Sequence, residues 1–160
     1  MRATMEQQAV IHDTFVIERN YPKPPARVFA AFSDSKQKRR WFAEGKSHEV
    51  EEFQMDFRVG GSEHAQYWMN ETTPFPGVTL IHDAIIQDIV PDKRVVSAST
   101  MSLGDRRISA SLVTIELLEA DGGTRLVCTH QGTFFEGSDG PKMREAGWNR
   151  LFDQLGKEVA

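Results

Sequence analysis

The sequence predicts an α+β fold in which a curved antiparallel sheet holds one long C-terminal helix. The helix is predicted over residues 139–160, where an apolar stripe recurs at every fourth residue and aromatic residues lie beside it. The stripe and its neighbours are Gly147, Leu151, Leu155, Val159, Trp148 and Phe152. The segments before this helix are short, alternate apolar with polar residues and end in turn residues, a pattern that favours antiparallel strands. Because one helix with a wide apolar face needs a broad surface to cover it, we expect the strands to form that surface.

The first part of the chain predicts a strand followed by two short helices. Residues 1 to about 10 are expected to fray, and residues 12–19 alternate as a strand does. Prolines 22, 24 and 25 break this strand, and proline is tolerated in the first turn of a helix. We therefore predict a helix over residues 26–32 and, after a cap at Asp34, a second helix over residues 36–42.

The chain between these helices and the C-terminal helix predicts strands. Their expected ranges are 47–53, 55–59, 62–69, 78–90, 94–101, 108–118 and 124–134. The first of them is polar and is predicted to be an exposed edge. Gly60-Gly61 and Asp121-Gly122-Gly123 mark turns. Asp139 is a suitable N-cap for the last helix, and Pro141 fits its first turn.

Length, charge and cysteine content predict a single soluble domain, residues 1–160. The net charge of −4 argues against nucleic-acid binding. We interpret the one basic cluster as a solvated face rather than a phosphate-binding patch; it consists of Lys36, Lys38, Arg39 and Arg40. Cys128 is the single cysteine, so the chain forms no internal disulfide, which fits a reducing cytoplasm. The sequence has no signal-peptide pattern and no apolar run of about 18 residues, so neither secretion nor membrane insertion is expected.

Four segments, in this order along the chain, resemble one known family. They are Ile17-Glu18-Arg19 with residues 24–32 (PPARVFAAF), Trp41, residues 55–62 (MDFRVGGS) and residues 147–155 (GWNRLFDQL). The chain is similar to the START-like, helix-grip (SRPBCC) superfamily over about residues 12–158. Within it, the chain resembles the family related to the C-terminal domain of the activator of heat shock protein 90 ATPase.

The resemblance implies a fold and a cavity. In the superfamily a seven-stranded antiparallel sheet wraps the C-terminal helix, and a cavity between them holds hydrophobic ligands such as lipids, hormones and polyketides. A few members are cyclases or hydrolases. The eukaryotic activator binds a chaperone, so a chaperone is a further implied partner.

Seven residues are candidates for the lining of this cavity, because ligand cavities are mostly apolar with a few polar groups that orient the ligand. They are Trp41, Trp68, His82, Met101, His130, Phe135 and Trp148. The alternative for each of the apolar residues is ordinary core packing.

Three histidines lie on three separate predicted strands, His64, His82 and His130. If they faced inward together, they would form a polar end of the cavity, an acid–base group or a set of metal ligands. No HxxxH or CxxC spacing supports a metal, so no metal and no cofactor is expected. Cys128 shares a strand face with His130; we interpret it as a small buried hydrophobe rather than a thiolate nucleophile.

Three functions follow from these observations. The leading hypothesis is a protein that binds a hydrophobic or amphipathic small molecule or lipid between the sheet and the closing helix, with no catalytic residue assigned. The second is an enzyme of the same fold that uses a cavity histidine as acid or base. The third is a chaperone-binding module. An exposed edge strand leaves both a monomer and a homodimer open.

Overall fold

The structure is a computed structural model that describes residues 10–160. Strand β1 covers Ile11–Tyr21, and two helices follow, α1 over Pro25–Ser33 and α2 over Ser35–Lys38. A π-helical segment, Arg39–Ala43, continues directly from α2. The remaining strands are β2 His48–Met55, β3 Ser62–Met69, β4 Thr79–Val90, β5 Arg94–Leu103, β6 Arg106–Ala120 and β7 Gly123–Phe134, and helix α3 covers Pro141–Val159. The prediction for residues 1–9 lies outside the described residues.

The strands form one seven-stranded antiparallel sheet, as the family resemblance implies. Their order is β1-β7-β6-β5-β4-β3-β2, so β1 and β2 are the two edges. The predicted polar edge is therefore confirmed for β2. Asp121 and Gly122 both have positive φ, 49° and 79°. This is the two-residue turn that suits the twist of a hairpin, and it joins β6 to β7.

Two local predictions are wrong. Residues 56–61 form the turn between β2 and β3 and not the predicted strand, because the backbone N–H of Gly61 donates to the carbonyl of Arg58 (2.8 Å). A Cβ at Gly61 would lie 2.0 Å from the carbonyl oxygen of Asp56, so this tight turn requires glycine. At α3 the N-cap is Gly140 and not Asp139, whose carboxylate instead binds Arg144 (2.7 Å).

Helix α3 packs on the concave face of the sheet together with α1 and the π-helical segment. Its buried apolar residues are Phe152, Leu155 and Val159. They join a core with residues of α1 and of strands β1, β6 and β7, including Val28, Phe32, Phe15, Ile17, Val113, Ile115, Leu126 and Cys128. The hydroxyl of Tyr21 donates to the carbonyl of Phe152 at 2.8 Å, which fixes α3 to the edge strand β1. Among the helices of residues 10–160, none combines the length and the apolar composition needed to cross a bilayer.

The π-helical segment directs two aromatic side chains toward the sheet. The backbone N–H of Glu44 donates to the carbonyl of Arg39, five residues earlier, at 3.0 Å. The indole of Trp41 donates to the carbonyl of Ala31 at 2.8 Å and is fully buried. Phe42 beside it is half-buried and contacts α3 through Trp148, with ring centroids 6.0 Å apart. Such segments are often found at functional sites.

Candidate ligand-binding site

A cavity of about 40 Å³ lies between the concave face of the sheet and the helices. Its walls combine aromatic rings from the helical layer with small and charged residues from the strands. The lining residues are Phe32, Lys38, Trp41, Phe42, Glu63, His82, Val95, Ser97, Ser99, Val113, Ile115 and Trp148. The cavity is thus lined by α1, α2, the π-helical segment, α3 and the strands β3 to β6.

Three charged or titratable side chains meet at this cavity, and we call them the Lys–Glu–His cluster: Lys38, Glu63 and His82. The ammonium of Lys38, at the end of α2, donates to Oε1 of Glu63 at 2.8 Å. Nε2 of His82 lies 3.0 Å from Oε2 of the same carboxylate. Glu63 and His82 both face the concave side, on the neighbouring strands β3 and β4. The cluster therefore ties the helical layer to the sheet.

The cluster contains a buried, ionised carboxylate. Burial alone would raise the pKa of Glu63, but the Lys38 ammonium and the hydrogen bond from His82 outweigh it and lower the pKa to about 2. An ionised carboxylate only accepts hydrogen bonds, so the proton of this contact is on Nε2 of His82. Nδ1 of His82 is then the ring nitrogen available to a bound molecule.

Aromatic rings surround the charged end of the cluster. The ammonium of Lys38 lies 4.4 Å from the ring centroid of Phe42, 5.6 Å from Trp41 and 5.7 Å from Phe32. These distances allow cation–π attraction, which is strongest where water is excluded. The ring of His82 also contacts Phe42, at a centroid distance of 5.3 Å. The site thus presents hydrogen-bonding groups inside an otherwise apolar enclosure.

The structure places three of the seven candidate residues at the cavity: Trp41, His82 and Trp148. The expected position of Trp68 is wrong, because its side chain is on the outer face of β3 and is 40% exposed. The alternation of β3 turns Glu63, Ala65 and Tyr67 inward instead.

The other candidates lie close to the cavity or beyond it. Met101 is paired with His82 across β4 and β5 and so shares its face, but it does not line the cavity. Phe135 follows the last residue of β7 and does not line it either. His130 lies within the core next to Trp148, with ring centroids 6.4 Å apart.

The three histidines do not converge, contrary to the arrangement considered from the sequence. His64 is on the outer face, where Nδ1 contacts Asp83 at 2.5 Å and Nε2 contacts Glu52 at 3.2 Å. The hydrogen bond to Asp83 raises the pKa of His64. Only His82 and His130 face inward. Within residues 10–160, no group of three or more His, Cys, Asp or Glu side chains is placed to hold a metal ion.

His130 is buried and stacks on Phe15, with ring centroids 4.5 Å apart and planes 6° from parallel. Burial, with the nearby charge of Arg144, lowers the pKa of His130 to about 4, so the ring is neutral at pH 7. Cys128 on the same face is also buried, and burial raises the pKa of its thiol to about 12. The thiol stays protonated, in agreement with its interpretation as a small hydrophobe.

Sequence reasoning did not identify Lys38 or Glu63 as site residues. Lys38 belongs to the basic cluster that we interpreted as solvated, and its neighbours Lys36 and Arg40 are indeed exposed. The available signal was Glu63, a charged residue at an inward position of an alternating strand. A carboxylate there needs a cationic partner.

Comparison with models of known protein families identifies one family. Residues 22–160 match the family described as activator of Hsp90 ATPase homolog 1-like protein. No curated protein matches the chain.

Solved structures of bacterial proteins share the fold over nearly the whole chain. An uncharacterised protein from Rhizobium leguminosarum is 37% identical, with a TM-score of 0.86 over 94% of this chain and 95% of its own. A protein from Rhizobium loti is 45% identical, with a TM-score of 0.83 over 94% of this chain and 99% of its own. A protein from Chromobacterium violaceum, at 22% identity, has a TM-score of 0.75 over 91% of this chain and 96% of its own, and shows the fold alone.

Removal of the buried carboxylate should destabilise the protein strongly. In Glu63→Gln the ammonium of Lys38 keeps its charge but loses its counter-ion, so we expect the free energy of unfolding to fall by about 3 kcal/mol. The double variant Lys38→Met/Glu63→Gln removes both charges and should recover a large part of this loss. Urea unfolding of the wild type, both single variants and the double variant gives the coupling energy. Additive losses would show that the two side chains do not interact.

The depressed pKa of His130 should make stability depend on pH. The unfolded chain takes up this proton near pH 6.5 and the folded chain only near pH 4. The contribution of His130 to the free energy of unfolding is therefore complete above pH 6.5 and is lost as the pH falls toward 4. Between about pH 7.5 and about pH 4 the free energy of unfolding should drop by about 3 kcal/mol through this group. Urea unfolding at both values should show a correspondingly smaller drop for His130→Phe, and equal drops would contradict the assignment.

Proposed function

The chain belongs to the family of activator of Hsp90 ATPase homolog 1-like proteins, and for this member we propose that it binds an amphipathic small molecule between the sheet and helix α3. The observation that carries the proposal is the Lys–Glu–His cluster, an ionised and buried group that opens onto an aromatic cavity. Burying ions is costly, and their replacement by apolar residues is often neutral or stabilising. A buried ion pair with one free imidazole nitrogen in a cavity is therefore typical of a site that recognises a ligand.

The residues that line the cavity indicate the chemical class of the proposed ligand. Phe42 and Trp148 supply aromatic surface for an apolar body, while the hydroxyls of Ser97 and Ser99 and the imidazole of His82 supply hydrogen bonds for a polar head. The charges of Lys38 and Glu63 already compensate each other. The head is thus a hydrogen-bonding group that needs no counter-ion.

Binding requires the cavity to widen. At about 40 Å³ it has space for a few water molecules. Sites for small organic ligands typically measure about 300–1,000 Å³. The half-buried rings of Phe42 and Trp148, which contact each other across the helical layer, are the side chains whose displacement would enlarge it.

Native mass spectrometry of freshly purified protein tests the proposal. We expect an added mass that disappears when the protein is denatured, and a thermal-shift screen of amphipathic compounds should raise the melting temperature with the same chemical class. A leucine at position 97 fills the cavity, so Ser97→Leu should lose both signals.

The matched control is Ala98→Leu, the next residue of β5, which faces the outer side of the sheet. It adds a leucine at a neighbouring position but leaves the cavity unchanged, and it should retain the added mass. An unmodified mass in the wild type together with no stabilising compound would overturn the proposal, as would retention of the ligand in Ser97→Leu.

The contact between Glu63 and His82 favours one alternative, an enzyme of the same fold. A carboxylate that fixes a histidine through one nitrogen and leaves the other free is the arrangement of an oriented general base. In a hydrolase, Nδ1 of His82 would remove a proton from water while the water oxygen adds to an ester carbonyl. The tetrahedral intermediate would then break its bond to the alkoxide oxygen, which takes the proton from His82, and the products would be a carboxylic acid and an alcohol.

Hydrolysis of 4-nitrophenyl butyrate distinguishes this alternative from binding alone. Under it, His82→Gln should lower the enzymatic rate by about 100-fold or more. His64→Gln is the matched control, because His64 also contacts a carboxylate but lies on the outer face. Equal rates for both variants, or no rate above the uncatalysed reaction, would exclude a general base at His82 for this ester.

A further inference from the structure

We propose that a second polar subsite, formed by Ser111, Gly132 and His130, binds a neutral hydroxyl group of the ligand. This inference rests on the proposed function and extends it, since it specifies what the far end of the ligand carries. The ligand class would be an apolar molecule with a hydroxyl, such as a phenol or an alcohol. The subsite lies on strands β6 and β7 of the concave face, whereas Glu63 and His82 of the Lys–Glu–His cluster lie on β3 and β4.

A row of small residues leads from the cluster to the subsite. Residues that pair directly across adjacent strands share a face, and here the pairs continue over five strands. They run from Glu63 through Ala84, Ser99 and Ser111 to Gly132. Ser99 lines the cavity, and Ser111 is its direct neighbour on β6. We call these five residues the small-residue row, since only Glu63 at its start has a large side chain.

Two buried polar atoms near the β7 end of this row have no hydrogen-bond partner among residues 10–160: Oγ of Ser111 and Nδ1 of His130. His130 is only 1% exposed. Its ring leans over Gly132, where a Cβ would lie 2.8 Å from Cε1 of the imidazole. Ser111 is paired with Gly132. The two unpartnered groups thus face the same glycine, and leaving each unpaired costs free energy that a bound group would recover.

The charges near the subsite favour a neutral group. The nearest cation, Arg144, already donates to both carboxylate oxygens of Asp139 and to the hydroxyl of Ser109. An anionic ligand group would therefore find no free counter-charge there. A neutral imidazole and a serine hydroxyl together offer both a donor and an acceptor, and a hydroxyl group matches them because it also donates and accepts.

Phenol and toluene are the probes, because they have nearly the same shape and differ by a hydroxyl in place of a methyl group. We expect wild-type protein, titrated by NMR, to bind phenol about fivefold more tightly than toluene. Partition from water alone favours toluene, so the expected preference is opposite to that of a plain apolar cavity.

Single substitutions test which residues cause the preference for phenol over toluene. Ser111→Ala removes an unpaired hydroxyl, so it should keep or raise the melting temperature while the preference for phenol disappears. His130→Phe keeps an aromatic ring against Phe15 and should also abolish the preference. The control is Thr114→Val, which removes a hydroxyl from the outer face of the same strand and should keep the fivefold ratio.

The outcomes separate the two proposals. If phenol and toluene bind with equal affinity, or if Ser111→Ala keeps the preference, the hydroxyl subsite is wrong and the two buried polar groups bind water instead. The proposal that the cavity binds a ligand would still stand. If neither probe shifts the resonances of Trp41, Phe42 or Trp148, the hydroxyl subsite is wrong, whereas the binding function is decided by the native mass spectrum and the thermal-shift screen.

Discussion

Glu63 is a carboxylate beneath a layer of aromatic rings, and it remains ionised there only because two partners reach it from different elements. Lys38 comes from the end of α2 and His82 from the adjacent strand β4. The contacts from Lys38 and His82 together offset the free-energy cost of burying the Glu63 carboxylate. Movement of either partner would leave a buried charged group without its hydrogen bond. The ion pair therefore sets where the helical layer sits above β3 and β4, and with it the position of the rings that close the cavity.

The fold was largely predictable because its pattern is local. Alternation gave the strands, turn residues gave their ends, and the four-residue spacing gave helix α3. The errors occurred where local signals compete. Asp139 has the side chain of an N-cap, but Arg144 on the first turns of α3 binds it more directly and leaves Gly140 to begin the helix. The Asp56–Gly61 segment alternates too, yet its two glycines permit a tight turn.

The site was only partly predictable, because it depends on which face of each strand turns inward. On β4 the large apolar residues Ile81 and Ile85 suggest an inward face, but pairing turns His82 and Ala84 inward and leaves Ile85 exposed. Lys38 and Glu63 are 25 residues apart, and their contact arises from packing rather than from any motif. Binding to a chaperone also stays a prediction, because it would depend on the outer surface of the protein and not on the cavity.

The π-helical segment has a consequence for how related proteins can diverge. A π-helical turn holds one residue more than an α-helical turn, and each residue of an α-helix rotates the chain by about 100°. Loss of one residue between Arg39 and Ala43 would thus restore α-geometry and swing Trp41 and Phe42 around the helix axis. The inner shape of the protein would change without alteration of any strand. A single insertion or deletion in this short stretch would therefore change the shape of the cavity while the sheet and helix α3 are kept.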